Sequence, residues 1–184
     1  MKQLHDDALA VLRAWTPPDA DQDRLRRRYV HHLEQNADGM LRSCLPDHVT
    51  AGALVLSADG TEALLNLHGK ARQWFAFGGH CELDDTTLAG VAHREALEES
   101  GLARLDFDPS PVQLNEHDVP FCDPRGTVAH LDVRFVAVAP PGAEHRVSDE
   151  SLDVRWWPLD ALPDGLGSDM HDLISAARGR LGEA

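Results

Sequence analysis

The chain of 184 residues carries 31 acidic and 17 basic side chains, which gives a formal net charge of −14. Hydrophobic residues make up 42% and charged residues 26%, as in a globular domain long enough to bury a sizeable core. The negative charge argues against nucleic acid polymers and anionic membranes as partners, because both repel an acidic protein. A small phosphorylated substrate is still compatible with it, provided that a metal ion and a few basic residues offset the charge.

The cysteines indicate a reducing compartment, and the hydropathy pattern argues against a signal peptide and a membrane span. Cys44, Cys81 and Cys122 lack the paired spacing of a disulfide framework. The first residues carry acids within their apolar run, unlike a secretory signal peptide. No apolar run approaches the ~20 residues of a membrane span. We therefore expect a cytoplasmic protein that does not enter a membrane.

Two amphipathic helices are predicted at the start of the chain. The first covers residues 4–15 and ends at a Thr-Pro-Pro break. The second covers about residues 21–39, and its many Arg and His side chains form either a contact surface or a solvated face. We assign residues 1–46 to an N-terminal helical extension and residues 47–184 to the main domain. The extension covers the sheet, lines the pocket or supports a homodimer, and the sequence does not choose among these.

From His48 onward the pattern changes to β-strands. Two apolar stretches flank an Ala-Asp-Gly turn and predict a hairpin. A short basic loop at residues 69–73 then leads into a strand that ends at Phe77. In this loop Lys70 and Arg72 either bind a substrate phosphate or are two solvated charges.

Acidic side chains are concentrated on the next predicted helix, which begins near Thr86 or Thr87 and ends at a C-capping glycine. Glu95, Glu98 and Glu99 are spaced three and four residues apart, so they lie on one helix face. Three adjacent carboxylates repel one another at neutral pH unless a cation joins them. Their oxygen atoms suit Mg²⁺.

The segment before this helix supplies further polar candidates. The pair Gly78-Gly79 allows a tight turn between strand and helix. His80 follows, and a histidine beside a phosphate can donate a hydrogen bond or move a proton. Zinc ligation by His80, Cys81 and His93 is a weaker alternative, because no paired metal-ligand spacing supports it.

Strands return after the helix. Two are predicted around an Asp-Pro-Ser-Pro break at residues 108–111, followed by a loop at residues 121–126. The clearest strand comes next, and its alternation puts His130, Asp132 and Arg134 on one face. These side chains either face a substrate cleft or form an internally satisfied hydrogen-bond network. A last strand and an amphipathic helix complete the pattern.

Residues 79–102 resemble the Nudix box, the signature of the Nudix hydrolases. The family pattern is Gly, five residues, Glu, seven residues, then Arg-Glu-apolar-x-Glu-Glu-x-Gly-apolar. From Arg94 to Leu102 the chain matches it at every position. In the first half, five residues on from Gly79 stands Asp85 instead of Glu, and eight residues then separate it from Arg94. We interpret this as a one-residue insertion, with the box glutamate lost or replaced by Asp85.

The resemblance covers about residues 50–162 and implies an α/β fold. The expected architecture is an α/β/α sandwich around a mixed β-sheet, here with the N-terminal helical extension. It also implies a metal-dependent pyrophosphohydrolase that cleaves the diphosphate linkage of a nucleoside diphosphate derivative or a related small molecule. Nudix hydrolases are often dimers, so a homodimer is compatible with it.

The resemblance further implies roles for individual residues. The implied ligands of Mg²⁺ or Mn²⁺ are Glu95, Glu98, Glu99 and the backbone carbonyl near Gly79. Either a box carboxylate such as Glu98 or a loop residue, with Glu150 favoured, acts as the general base. Arg94 is expected to pair with a box glutamate and fix its rotamer. The candidates for substrate contact are Lys70, Arg72, His80, His130, Asp132 and Arg134.

Two other functions are compatible with the same fold. A catalytically degenerate ligand-binding module is suggested by the departure in the first half of the box. All three box glutamates are retained, however, and such modules often lose them. An isomerase of prenyl diphosphates shares the fold, but it needs an active-site Cys and metal-binding His in motifs that this chain lacks.

Overall fold

The computed structural model describes residues 1–148 and 151–182. These residues form helices and strands in the following order: α1 (Lys2–Ala14), α2 (Ala20–Gln35), β1 (Asp47–Leu56), β2 (Glu62–His68), β3 (Trp74–Phe75), β4 (Phe77–His80), α3 (Leu88–Ser100), β5 (Asp106–Asp123), β6 (Gly126–Val138), β7 (Ser151–Pro158) and α4 (Ser168–Gly182). Among the described helices, none has the length and apolar character that a membrane crossing requires.

All seven strands join one mixed sheet with β1 at its centre. Strand β1 runs parallel to β6 along its whole length, and every other pairing is antiparallel. On its other edge β1 pairs first with β4 and then with β2. Strand β2 in turn pairs with β3 and β7, and β5 pairs with β6 at the far side. Because helices cover both faces of β1, the strand is an almost continuous buried run.

The sheet divides the apolar core into two layers. Alternate residues of β1 and β6, such as Val49 and Val133, pack with helices α1, α2 and α3 on one face. The intervening residues, such as Leu54 and Val136, pack with α4 on the other face. This alternation is the direct result of the pleat. It confirms the expected α/β/α sandwich around a mixed sheet.

The N-terminal helices cover the sheet beside α3. Leu4, Leu12 and Tyr29 are fully buried in the same core layer as the acidic helix. Asp7 of α1 accepts a hydrogen bond of 2.7 Å from the backbone N–H of Leu88, the first residue of α3. An acid at this position satisfies an unpaired donor at a helix N-terminus and complements the helix dipole.

The basic side chains of α2 are largely paired with acids. Arg28 forms ion pairs with Asp47 of β1 at 3.0 Å and with Glu116 of β5 at 2.7 Å. On the helix itself, Arg24 pairs with Asp21, and Arg26 and Arg27 both pair with Asp23. The Arg28 contacts fasten α2 to two strands, which is a structural use that the sequence pattern did not indicate.

Several element boundaries differ from the sequence prediction. Helix α2 ends at Gln35, not near Gly39. The strand predicted to end at Phe77 is divided into β3 and β4, which pair with different neighbours. The two strands predicted around residues 108–111 form the single strand β5, and its prolines fall where the pairing with β6 shifts register. Proline is tolerated there because a register shift interrupts the ladder of backbone hydrogen bonds.

Candidate active site

Helix α3 begins and ends where the sequence predicts. The Thr87 hydroxyl accepts a hydrogen bond of 3.1 Å from the Gly90 N–H, and Gly101 has the left-handed conformation at φ 67°. Leu88 and Val91 are fully buried against the sheet. These contacts fix the rotation of the helix, so its acidic face points away from the core.

Arg94 connects the acidic groups around the box. Its Nη1 donates to Glu95 Oε1 at 2.9 Å and to Glu98 Oε2 at 3.1 Å, so the predicted pairing with a box glutamate is present. Its Nε and Nη2 bind the two carboxylate oxygens of Asp85 at 3.2 and 2.9 Å. Nη2 also donates to the His80 carbonyl at 3.1 Å. Asp85 is thus the bidentate partner of Arg94, despite the inserted residue and the shorter side chain.

The paired glycines lie directly against two of the glutamates. A Cβ atom at Gly79 would be 2.7 Å from Glu95 Oε2, closer than such contacts occur in proteins. The Gly78 N–H donates a hydrogen bond of 3.0 Å to Glu99 Oε2. A side chain at residue 79 would therefore displace the Glu95 carboxylate from its present position.

The electrostatics of the site favour a cation. Burial raises the pKa of Glu95, Arg94 lowers it, and Glu98 raises it again, with a net shift above the ordinary value. Burial also raises the pKa of Asp85, but its hydrogen bond with Arg94 holds the net pKa below the ordinary value. Glu98 is 60% exposed and Glu95 only 14%. The buried carboxylate therefore needs positive charge, and the exposed one faces solvent.

This donor set fits Mg²⁺ or Mn²⁺. It consists of carboxylate oxygens on one helix face, the kind of ligand that hard divalent cations prefer. Glu95 and Glu98 already converge on a single cationic atom, Arg94 Nη1. The backbone of Gly79 lies directly against the Glu95 carboxylate. Among the described residues the box carboxylates do not form a group with all ligand atoms within 4.8 Å.

The other predicted substrate contacts are dispersed. Lys70 and Arg72 are exposed in the loop between β2 and β3, and Arg72 has φ 54°. Within the described residues neither forms a salt bridge. The Glu150 prediction, together with its neighbour Asp149, lies outside the described residues.

The polar face of β6 is present as predicted, on the side that faces α4. Asp132 accepts hydrogen bonds from the Thr50 hydroxyl and from Arg134, and it pairs with His117 at 3.2 Å. Arg134 also binds Asp169 of α4 at 2.9 Å. Burial raises the pKa of Asp132, but these partners hold it well below the ordinary value. For Asp132 and Arg134 the structure therefore has the internally bonded network, and substrate contact stays a prediction.

His80 and His130 belong to a group that the sequence did not reveal. Their side chains meet those of His48 and Cys122, with all four ligand atoms within 4.8 Å of one another. Burial lowers the pKa of His80 to about 4 and that of His130 to about 3. No spacing signal links these residues, because they come from four different strands.

The zinc set considered from the sequence does not form. Cys81 points into the core, where its Sγ contacts the Val49 carbonyl at 3.8 Å. The His93 ring packs on Phe107 at a centroid distance of 5.1 Å. Only His80 of the three joins a group of metal-ligand type among the described residues.

Comparison with known proteins agrees with this geometry. The model of the NUDIX domain family matches residues 46–176, which is more than half of the chain. No protein of curated function gives a significant match.

Solved structures share the fold at low sequence identity. A NUDIX family hydrolase from Clostridium perfringens has TM-score 0.57 and 18% identity, covering 72% of this chain and 97% of that chain. A C. elegans Ap4A hydrolase has TM-score 0.61 and 16% identity, covering 74% and 98%. An ADP-ribose pyrophosphatase from Streptococcus suis has TM-score 0.53 and 20% identity, covering 74% and 93%. At such identities the likeness concerns the fold.

Proposed function

The chain belongs to the NUDIX family of hydrolases, and we propose that it cleaves a diphosphate linkage in a nucleoside diphosphate derivative with the help of Mg²⁺ or Mn²⁺. The observation that carries this proposal is the arrangement around Arg94. It binds Asp85 on one side and Glu95 and Glu98 on the other, so the box keeps its internal contacts in spite of the insertion.

The metal would be held by Glu95, Glu98 and Glu99 with the backbone carbonyl near Gly79. When bound, the ion supplies charge neutralisation for the diphosphate and makes a water molecule more acidic. Arg94 acts as a positioning residue, because its fork fixes the side chains of two of these glutamates relative to Asp85. Glu99 is oriented by the Gly78 N–H at 3.0 Å.

Proton transfer from the attacking water needs an exposed carboxylate near the substrate. Glu98 fits this role, because its side chain is 60% exposed while still held by Arg94 at 3.1 Å. Glu150 is the second candidate for the base, as the family resemblance implies. The two are distinguished by the pH profile of kcat, since replacing the true base removes the acid limb of the profile.

The fold neighbours suggest which substrates to test first. One is described as an Ap4A hydrolase and another as an ADP-ribose pyrophosphatase. Both names denote nucleotides with a phosphoanhydride bridge. We therefore propose that this chain acts on the same chemical class.

The experiment is a panel assay of the purified chain. Dinucleoside polyphosphates, ADP-ribose, nucleotide sugars, coenzyme A and nucleoside triphosphates are incubated with Mg²⁺ or Mn²⁺, and again with chelator, and product release is measured. We expect cleavage of at least one member that stops when chelator is added. Absence of cleavage, together with no Mg²⁺ or Mn²⁺ affinity at α3, would instead establish a ligand-binding module.

A further inference from the structure

Four metal-ligand side chains converge on the face of the sheet opposite α3. They are His48 of β1, His80 of β4, Cys122 of β5 and His130 of β6, and their ligand atoms all lie within 4.8 Å of one another. His48 is fully buried, Cys122 is 7% exposed, and the other two side chains are half-buried. The ligand atoms are therefore largely shielded from solvent by the sheet and by the four side chains themselves.

The distances match tetrahedral coordination. Cys122 Sγ lies 3.2 Å from His130 Nε2, 3.4 Å from His80 Nε2 and 3.9 Å from His48 Nε2. With Zn–S near 2.3 Å and Zn–N near 2.05 Å, a tetrahedral site separates sulfur from each nitrogen by about 3.5 Å. The three observed distances lie on both sides of this value.

We propose that His48, His80, Cys122 and His130 bind one Zn²⁺ ion in a closed tetrahedral site. Three imidazoles and one thiolate are ligands that Zn²⁺ prefers, whereas Mg²⁺ and Mn²⁺ prefer oxygen. A site with four protein ligands leaves no position open for substrate or water. The ion is therefore structural, and the inference does not depend on the proposed hydrolase activity.

The backbone holds these ligands in place before any ion binds. His48 and His130 are direct partners in the parallel pairing of β1 with β6. His80 pairs with Thr50. Thr50 lies two residues after His48 in β1, so the side chains of these two β1 residues are on the same face of the sheet. Cys122 lies where β5 shifts register against β6, and Arg42 Nη2 holds its carbonyl at 2.8 Å.

An outer contact orients one of the imidazoles. His48 Nδ1 lies 3.2 Å from the Cys44 carbonyl, an oxygen that can only accept, so this nitrogen carries the proton. The lone pair of His48 is then on Nε2, the atom that faces the group. A backbone carbonyl behind a ligating histidine is the usual support of a zinc site.

Hydrogen bonding without a metal ion satisfies this group less well. A thiol carries a single proton and is a weak donor. Three Nε2 atoms surround Cys122 Sγ. One of them can accept that proton, and an Nε2 that is protonated can donate only to sulfur, which is a weak acceptor. A divalent cation binds all four ligand atoms at once and releases the thiol proton to solvent.

The proposed ion would also restrict movement of the residues at the start of the Nudix box. The His80 carbonyl accepts a hydrogen bond from Arg94 at 3.1 Å, and Gly79 immediately precedes it. Fixing the His80 side chain on one face of β4 therefore limits movement of the glycine that lies against Glu95 on the other face.

The test measures metal content in the full chain. Wild-type protein is equilibrated with Zn²⁺ in excess Mg²⁺ and desalted, and zinc is counted by elemental analysis and native mass spectrometry. We expect about one tightly held Zn²⁺ per chain. The Cys122→Ser and His130→Gln variants should each lose it. Glu98→Gln should keep it, because the box carboxylates are not its ligands.

Two matched controls separate ligands from neighbours. Cys81→Ser removes a buried thiol that points into the core, and His117→Gln removes a ring 5.4 Å from that of His130 but outside the group of four. Both should retain the ion. Zinc loss in these variants equal to that in the ligand variants, or zinc retention in both ligand variants, would overturn the proposal.

A second measurement does not depend on the folding of any variant. Wild-type protein loaded with Co²⁺ should show a thiolate-to-cobalt charge-transfer band and the intense visible bands of tetrahedral Co²⁺. A weak octahedral spectrum without sulfur charge transfer, or no zinc above the background of a non-binding protein, would contradict the site directly.

Discussion

The two faces of the sheet around β4 carry different donor chemistry. On the α3 face, Glu95 and Glu98 present oxygen atoms that share one nitrogen of Arg94. On the α4 face, His80 and its neighbours present nitrogen and sulfur. Gly79 and His80 are adjacent in sequence, and the pleat of the strand turns them to opposite faces. One four-residue strand thus contributes to both groups.

The difference lies in how each group is assembled. The carboxylates sit on a single helix, where contacts follow from spacing of three and four residues. The nitrogen and sulfur donors come from four strands, where contacts depend on pairing and register. Exposure also differs, since Glu98 is 60% exposed and His48 is fully buried. The exposed group suits exchange with substrate, and the enclosed group suits a permanent structural role.

The largest effect is expected from neutralising a box carboxylate. Glu98→Gln and Glu99→Gln keep the side-chain shape but remove a charged ligand, so kcat on the best panel substrate should fall by about 100-fold or more. Melting temperatures should stay near wild type. Glu144→Gln, at an exposed loop residue, is the control. Unchanged turnover in both box variants would refute the site assignment.

A smaller loss of turnover is expected when a side chain is added at Gly79, the glycine that lies against Glu95. In Gly79→Ala the new Cβ would meet Glu95 Oε2 at 2.7 Å, so the carboxylate must move. We expect turnover to fall by about 10- to 100-fold, while Zn²⁺ content is unchanged because His80 is retained. Gly179→Ala, where a Cβ meets nothing within 4 Å, should leave turnover unaltered. If Gly79→Ala and Gly179→Ala are equally active, the close approach of Gly79 to Glu95 does not contribute to catalysis.

Removing the second partner of Arg94 should affect stability and activity together. Asp85→Asn replaces a carboxylate that is 11% exposed and binds Arg94 through both oxygens. We expect the free energy of unfolding to fall by about 1–3 kcal/mol and kcat to fall by about 10-fold. The comparison is with Asp84→Asn, at the exposed neighbouring residue. If chemical denaturation gives the same stability for both, Asp85 does not take over the role of the missing glutamate.

The smallest effect concerns pH on the α4 face. Burial lowers the pKa of His117, but its hydrogen bond with Asp132 and the charge of Asp132 raise the net pKa above the ordinary value. Because the folded-state pKa is the higher one, the stabilisation is complete below about pH 6.5 and is lost as pH rises through the folded pKa. With a side chain 42% exposed, the contribution should not exceed about 1 kcal/mol.

Denaturation with chelator present tests this prediction. The difference in unfolding free energy between wild type and His117→Gln should be larger near pH 6 than near pH 9. The control is His171→Gln at an exposed position of α4, measured at the same two pH values. If the difference in unfolding free energy for His117→Gln instead increases toward high pH, the pKa of His117 is not raised in the folded protein.

Local sequence chemistry was sufficient for the acidic helix and for β6. Thr87 and Gly101 mark the ends of α3 because a hydroxyl cap and a left-handed glycine act within a few residues. The polar and apolar faces of β6 follow from a period of two. The pairing of Arg94 with a box glutamate follows from their positions on one helix. All three are short-range consequences of the chain itself.

Tertiary structure decided the features that need distant residues to meet. The parallel register of β1 with β6 brings His48 beside His130, and the shifted register of β5 adds Cys122. Asp85 reaches Arg94 because the loop after β4 folds back over the helix, which no spacing rule for an inserted residue describes. Strand pairing and loop closure depend on the packing of the whole core. The sequence by itself therefore determined the acidic face of α3. Only the tertiary structure determined the group of three histidines and one cysteine on the opposite face of the sheet.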